Sequence, residues 1–209
     1  YVSGYDSNET DTYANMNRYQ INGSLDYSYG FDGISFVPVP GTTTPGATPS
    51  LAVDTNGLPV ALLSTSSETR LVRKLNNGAL DASYGGPVAG APTGSVGLSA
   101  LPNGKAVAGL SWPDHANFTF FDTAGQATSS IALPAGATPV DTAVTKAGAV
   151  ALVYKTANSW GVIKTNADGA INTNFGTAGW LTQTTNLTPA AISADKDGRI
   201  IVTGATTNN

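Results

Sequence analysis

The chain reads as an all-β protein built from one four-stranded unit written about four times. Two patterns say so. Turn glycines Gly23, Gly78, Gly125 and Gly169 recur at spacings of 55, 47 and 44 residues, each in a similar short motif. Between them, short alternating segments give way at Asn-Gly or Asp-Gly turns to unbroken apolar runs. Periods of this length belong to stacked or radial repeats, and four antiparallel strands per period packed face to face describe a β-propeller blade. The expected fold is therefore a β-propeller of about four four-stranded blades, a single repeat domain over residues 1–209, with a fragment of a longer propeller-like array as the alternative.

Each strand follows from local pattern. First strands carry apolar residues six and four positions before a second set of glycines: Leu51 and Val53 before Gly57, Leu98 and Ala100 before Gly104, Val144 before Gly148, Ile192 and Ala194 before Gly198. Second strands follow those turns as continuous apolar runs at 58–63, 106–110, 149–154 and 200–202. Alternation, a tight Gly turn and a second run is the signature of a hairpin. An unbroken apolar run is buried on both faces, so the sheets must stack on one another. Third strands are expected at 17–21, 70–75, 118–121 and 161–164, and fourth strands at 34–39, 87–90, 131–134 and 180–184. No segment carries a helical period.

The first landmark is clearest in Asn22-Gly23-Ser24-Leu25-Asp26-Tyr27-Ser28-Tyr29-Gly30, Asn77-Gly78-Ala79-Leu80-Asp81-Ala82-Ser83-Tyr84-Gly85 and Asp168-Gly169-Ala170-Ile171-Asn172-Thr173-Asn174-Phe175-Gly176. With Arg18, Arg73 or Lys164 ahead of each, and with Asp197-Gly198-Arg199-Ile200-Ile201-Val202-Thr203-Gly204 near the end, the chain resembles the delta-sixty repeat family of bacterial secreted and surface proteins. Positions Phe120, Thr128 and Ile131 of the third unit depart from that pattern. The resemblance implies a propeller-like fold and no particular activity. Tyr1-Val2-Ser3-Gly4 also aligns with Ile201-Val202-Thr203-Gly204, which favours a ring closed by joining the first and last segments in one blade.

Antiparallel order divides the loops between two faces. Turns joining first to second and third to fourth strands share one face and repeat from unit to unit, so they read as scaffold, with Asp26 and Asp81 accepting nearby backbone N–H groups. The other face takes the divergent segments 5–13, 64–68, 112–117 and 156–160 and the linkers between blades. Function tends to sit on varied loops held by a rigid frame. The candidate ligand-binding residues are thus Trp112, Asp114, His115, Asn117, Trp160 and Tyr5. Trp112, Asp114, His115 and Asn117 fall within seven residues and combine a stacking surface with hydrogen-bonding groups suited to a sugar. Trp180 is expected in the core. The acidic stretch holding Asp6, Glu9 and Asp11 offers oxygen ligands but lacks the spacing of a calcium loop.

Composition removes other classes. A net charge of −4 and a pI near 4.7, with no basic cluster, exclude nucleic acid as a partner. No apolar stretch is long enough to insert in a membrane as a helix. The chain has no cysteine and one histidine, so thiolate sites, His-x-x-x-His metal sites and two-histidine mechanisms are absent, and no cofactor motif is present. No Gly-x-Ser-x-Gly elbow accompanies His115. The expected function is a non-catalytic, extracellular binding or adhesion module of a bacterial surface protein, whose partner is a glycan or a cell-surface protein. The alternatives are a structural repeat segment of a larger surface protein and, less favoured, a glycoside hydrolase using Asp114 with another carboxylate.

Overall fold

A computed structural model describes residues 1–7, 12–39, 49–64, 68–90, 92–184 and 186–206. Among the described residues, seventeen strands form five antiparallel sheets. The first holds β1 (Val2–Ser7), β2 (Thr12–Asn17) and β3 (Ile34–Val39). Three complete sheets follow, each with its strands in sequence order. They are β4 (Ser50–Val53), β5 (Pro59–Ser64), β6 (Thr69–Arg73) and β7 (Gly86–Pro87); β8 (Gly94–Ala100), β9 (Ala106–Ser111), β10 (Ala116–Phe121) and β11 (Ala127–Ala132); and β12 (Thr138–Val144), β13 (Val150–Lys155), β14 (Trp160–Lys164) and β15 (Trp180–Gln183). A last sheet pairs β16 (Leu187–Ala194) with β17 (Ile200–Thr206). Among the described residues the single helical element is a 3-10 turn at Pro102–Gly104.

The core lies in four seams between successive sheets. Ala14, Met16, Tyr29 and Val37 of the first sheet meet Ala61, Leu63 and Val72 of the second. Val60, Leu62, Leu71 and Tyr84 turn the other way, onto Leu98, Ala106, Ala108, Leu110 and Phe121. The alternation along β5 sends odd and even residues into different seams, which is why all six of its residues are buried. β9 and β13 do the same, feeding the third seam with Val107, Val150 and Leu152 and the fourth with Ala151 and Val153. Three of the continuous apolar runs of the sequence are these central strands, each buried on both faces, whereas the fourth, 200–202 in β17, is not, since Ile201 is exposed.

Inner strands are stitched across the seams by polar contacts. Thr142 Oγ1 donates to the Gly97 carbonyl, Ser99 Oγ donates to Thr142 O at 3.0 Å, and the Ile192 N–H donates to Asp141 Oδ2 at 3.0 Å. The register slips by one residue at matching places in β8, β12 and β16, between Val96 and Ser99, Pro139 and Asp141, and Pro189 and Ala191. Such bulges bend and twist a strand.

Several strand bounds differ from those the sequence suggests. The third strand of the first unit is Thr12–Asn17 rather than 17–21, because Arg18 leaves the sheet to pair with Asp26 and Tyr19 bridges to Leu25. In the third unit the fourth strand begins at Ala127, not 131, since a tight turn at Asp122–Gln126 leads straight into it. The closed ring is also corrected: β1 and β16 lie in separate sheets, and β16 pairs with β17. Trp180 is partly buried in the third seam, edge-on to Tyr154 at 5.9 Å, as a core residue should be.

Candidate functional site

The two faces are built differently. On the turn face, one arrangement repeats. Arg18 Nε meets Asp26 Oδ2 at 2.8 Å and its guanidinium lies 4.7 Å from the Tyr29 ring centre. Arg73 meets Asp81 at 2.7 Å and lies 4.0 Å from Tyr84. Asp26 and Asp81 also accept from the hydroxyl and amide of Ser28 and Ser83. Those serine hydrogen bonds first, and the arginines after them, hold both carboxyls below their ordinary range. Tyr29 and Tyr84 are pushed up to about 12 by burial. The aspartates thus act as turn acceptors, as the sequence indicates, and add an ion pair that it does not reveal.

The turns at Gly78 and Gly125 also dock on the sheet before them. Gly30 N donates to Asn77 O at 3.0 Å and Gly85 N to Ala124 O at 2.7 Å. Ser35 Oγ donates to Gly78 O at 2.5 Å. Gly78 and Gly125 are required twice over there. Both have positive φ, and a Cβ would stand 2.5 Å from Gly30 N or 2.7 Å from Gly85 N.

The loop face carries the predicted residues. The four-residue loop between β9 and β10 closes with Trp112 N donating to His115 O at 2.8 Å. Pro113 favours this reversal by fixing its φ. The Trp112 and His115 rings stack, 4.7 Å apart and 6° from parallel. The indole N–H donates to Gly90 O at 2.9 Å, and Trp112 is partly buried against the seam formed with Leu98 and Leu110. His115 Nδ1 lies 2.6 Å from Asp114 Oδ1, and that bond holds the exposed Asp114 carboxyl below its ordinary range. With Nδ1–H facing the carboxylate, Nε2 of a neutral His115 is an acceptor pointing away from it. The surface offered to a ligand is therefore the outer face of the imidazole, with the indole behind it.

The remaining candidates are not gathered there. Asn117 lies on β10, where its Oδ1 accepts from Thr119 Oγ1 at 2.8 Å. Tyr5, expected in a loop, is a half-buried residue of β1 whose hydroxyl donates to Ser64 O at 3.0 Å. Its hydrogen bond joins the first sheet to the second, next to the buried Ser64–Ser95 hydroxyl pair at 2.8 Å. Trp160 opens β14 and is partly buried against the fourth seam, opposite Lys155 in register. Glu9 and Asp11 lie outside the described residues, and Asp6 falls within β1. Among the described residues no three acidic or histidine side chains gather as a metal site.

One feature of this face has no single sequence motif. The β13–β14 loop, Thr184, Asn186 and the start of β16 border a cleft of about 290 Å³, lined by Lys155, Thr156, Asn158, Ser159, Asn186 and Thr188 among others. Its parts come from places some thirty residues apart, which a pass along the sequence does not unite.

No protein-family model and no curated protein sequence matches the chain. Solved structures do match. The virginiamycin B lyase of Staphylococcus aureus aligns over 97% of this chain and 62% of its own, with a TM-score of 0.60 at 15% identity. A protein from Lactobacillus plantarum aligns over 97% and 61%, with 0.61 at 16%. The Dos1 propeller aligns over 97% and 56%, with 0.60 at 10%. At such identities the likeness establishes the β-propeller fold. The chain spans about 60% of the length of these propellers.

Proposed function

We propose that this chain is a non-catalytic binding module, part of an extracellular bacterial surface protein of the delta-sixty repeat type, and that its loop face receives a glycan or a cell-surface protein. The observation that carries this reading is the contrast between faces. Repeated ion pairs and docked glycines build one of them, while the other bears loops of unlike chemistry, including the exposed His115–Asp114 pair stacked on Trp112. Asp114 suits hydrogen-bond acceptance rather than proton donation, since a glycosidase acid needs its pKa raised and this one is lowered. A glycan array and a cell-binding assay test the reading, with His115→Ala and Trp112→Ala beside the parent chain. Retained binding by both variants removes this loop from the site; no binding by the parent chain to any glycan or cell surface overturns the reading.

A second reading, a structural repeat segment of a larger surface protein, draws support from two facts. The chain covers about 60% of the propellers it resembles, and its first and last sheets hold three and two strands. A monodisperse, cooperatively unfolding 209-residue chain would count against it.

A further inference from the structure

Four cavities among the described residues divide into two kinds. Three include turn residues of the repeat, such as Asp81, Asp168 and Asp197, so they belong to the joints between successive sheets. The fourth is the cleft beside Lys155 on the loop face. Its volume, about 290 Å³, sits at the lower end of the ~300–1,000 Å³ usual for small-molecule pockets, room for one compact ligand.

Its chemistry is specific. The Thr188 hydroxyl and the amides of Asn158 and Asn186 supply donors and acceptors in mixed array. Lys155 is the one charged residue of the lining, and no carboxylate joins it. That is unusual placement for an ammonium in a chain of net charge −4. Among the described residues Lys155 makes no ion pair. The loop is also fixed before any ligand arrives. Thr156 Oγ1 accepts the Ser159 N–H at 3.0 Å and the Asn158 N–H at 3.3 Å, and it lies 2.8 Å from Ser159 Oγ. A loop already in its final shape spends little ordering entropy on binding.

We infer that this cleft binds one acidic sugar unit of an anionic glycan, its carboxylate on Lys155 and its hydroxyls on Thr188, Asn158 and Asn186. The inference rests on the binding-module reading and narrows it to a ligand class and a place.

The test uses galacturonic acid oligomers and uncharged galactose oligomers as probes, titrated into isotopically labelled full chain at 20 mM and 500 mM salt. Amide shifts are expected at 155–159 and 186–188. The acidic oligomer should bind two- to fivefold more tightly at low salt, as one exposed ion pair allows, and lose that margin at high salt. Lys155→Gln should erase the preference and leave the uncharged oligomer unaffected, while Asn186→Ala should weaken both about threefold or more. Lys155 and Asn186 are both exposed, so the variants should fold. Shifts confined to 111–117, or an acid preference that survives Lys155→Gln, overturn the inference and leave the binding-module reading standing. Binding of neither oligomer overturns the inference as well. Only a parent chain that also binds no glycan and no cell overturns both.

Discussion

The second and third sheets show what one repeated unit can do in two ways. In the second, the positions before, three after and six after the turn glycine are Arg73, Asp81 and Tyr84, an ion pair beneath an aromatic ring. In the third, the same positions are Phe120, Thr128 and Ile131. Phe120 is buried in the seam beside Ile131, and Thr128 Oγ1 merely donates to the Phe120 carbonyl at 3.2 Å. The charge pair has been exchanged for apolar packing, and the aromatic-glycine turn disappears with it. The fourth unit stands between them: Lys164 lies 5.8 Å from Phe175, with Asn172 in place of the aspartate. What the frame needs is thus the docking of turns on the previous sheet, and the ion pair is one of several ways to support it.

That lesson can be broken first at the docked glycines. Gly78 and Gly23 share nearly the same φ, +82° and +83°, but only Gly78 abuts a neighbouring backbone, while Gly23 has nothing within 4 Å. Gly78→Ala should lower unfolding free energy by about 3 kcal/mol, combining left-handed strain with the forced shift of Gly30. Gly23→Ala should cost about 1 kcal/mol, the strain alone. Equal losses in urea titrations would remove docking from the account.

The ion pair comes next. Asp81→Asn should cost about 2 kcal/mol, because Arg73 keeps its burial and loses a charged acceptor. The pH dependence has a definite sign. Asp26 and Asp81 have depressed folded values, so their stabilisation is complete above about pH 4 and is lost as the pH falls through those folded values. Acid unfolding of Asp81→Asn should therefore show a shallower limb below pH 4 than the parent chain.

A smaller effect, in which substitution stabilises rather than destabilises, is expected at Lys74. This residue is buried in the first seam, with Nζ donating to Phe36 O at 2.8 Å, and burial pushes its ammonium down to about 8. The unfolded chain holds this proton more tightly, so stability should rise between about pH 8 and pH 10. Lys74→Met should raise the melting temperature at pH 7 and flatten that rise. A lower melting temperature at pH 7 would show that the Phe36 hydrogen bond outweighs the cost of burial.

Much of this frame could be read from the sequence for plain physical reasons. Strands buried on both faces, such as Pro59–Ser64 and Val150–Tyr154, announce themselves as apolar runs, and the turns at Gly57, Gly148 and Gly198 need a residue without Cβ. Thr12–Asn17 was harder to place, since only Ala14 and Met16 of its inner face point inward and its other residues look like loop. Ala127–Ala132 is mostly exposed and leaves almost no apolar trace. At the site, the grouping of Trp112, Asp114 and His115 was legible because they share one four-residue turn, but the stacking of the indole on the imidazole was not. The indole bond to Gly90, the role of Tyr5 as an inter-sheet tie and the cleft at Lys155 all depend on contacts between distant segments.

The central claim is that one face holds the molecule together and the other meets its ligand. Melting temperature and affinity for galacturonic acid oligomers, measured together on Asp81→Asn and Lys155→Gln, test it most directly. The expected result is a crossed pattern. Asp81→Asn melts several degrees lower and binds as the parent does, while Lys155→Gln melts within a degree or so of the parent and loses its acid preference. A folded Asp81→Asn chain with weakened binding, or a Lys155→Gln chain with reduced stability and intact preference, would contradict the division of labour between the faces.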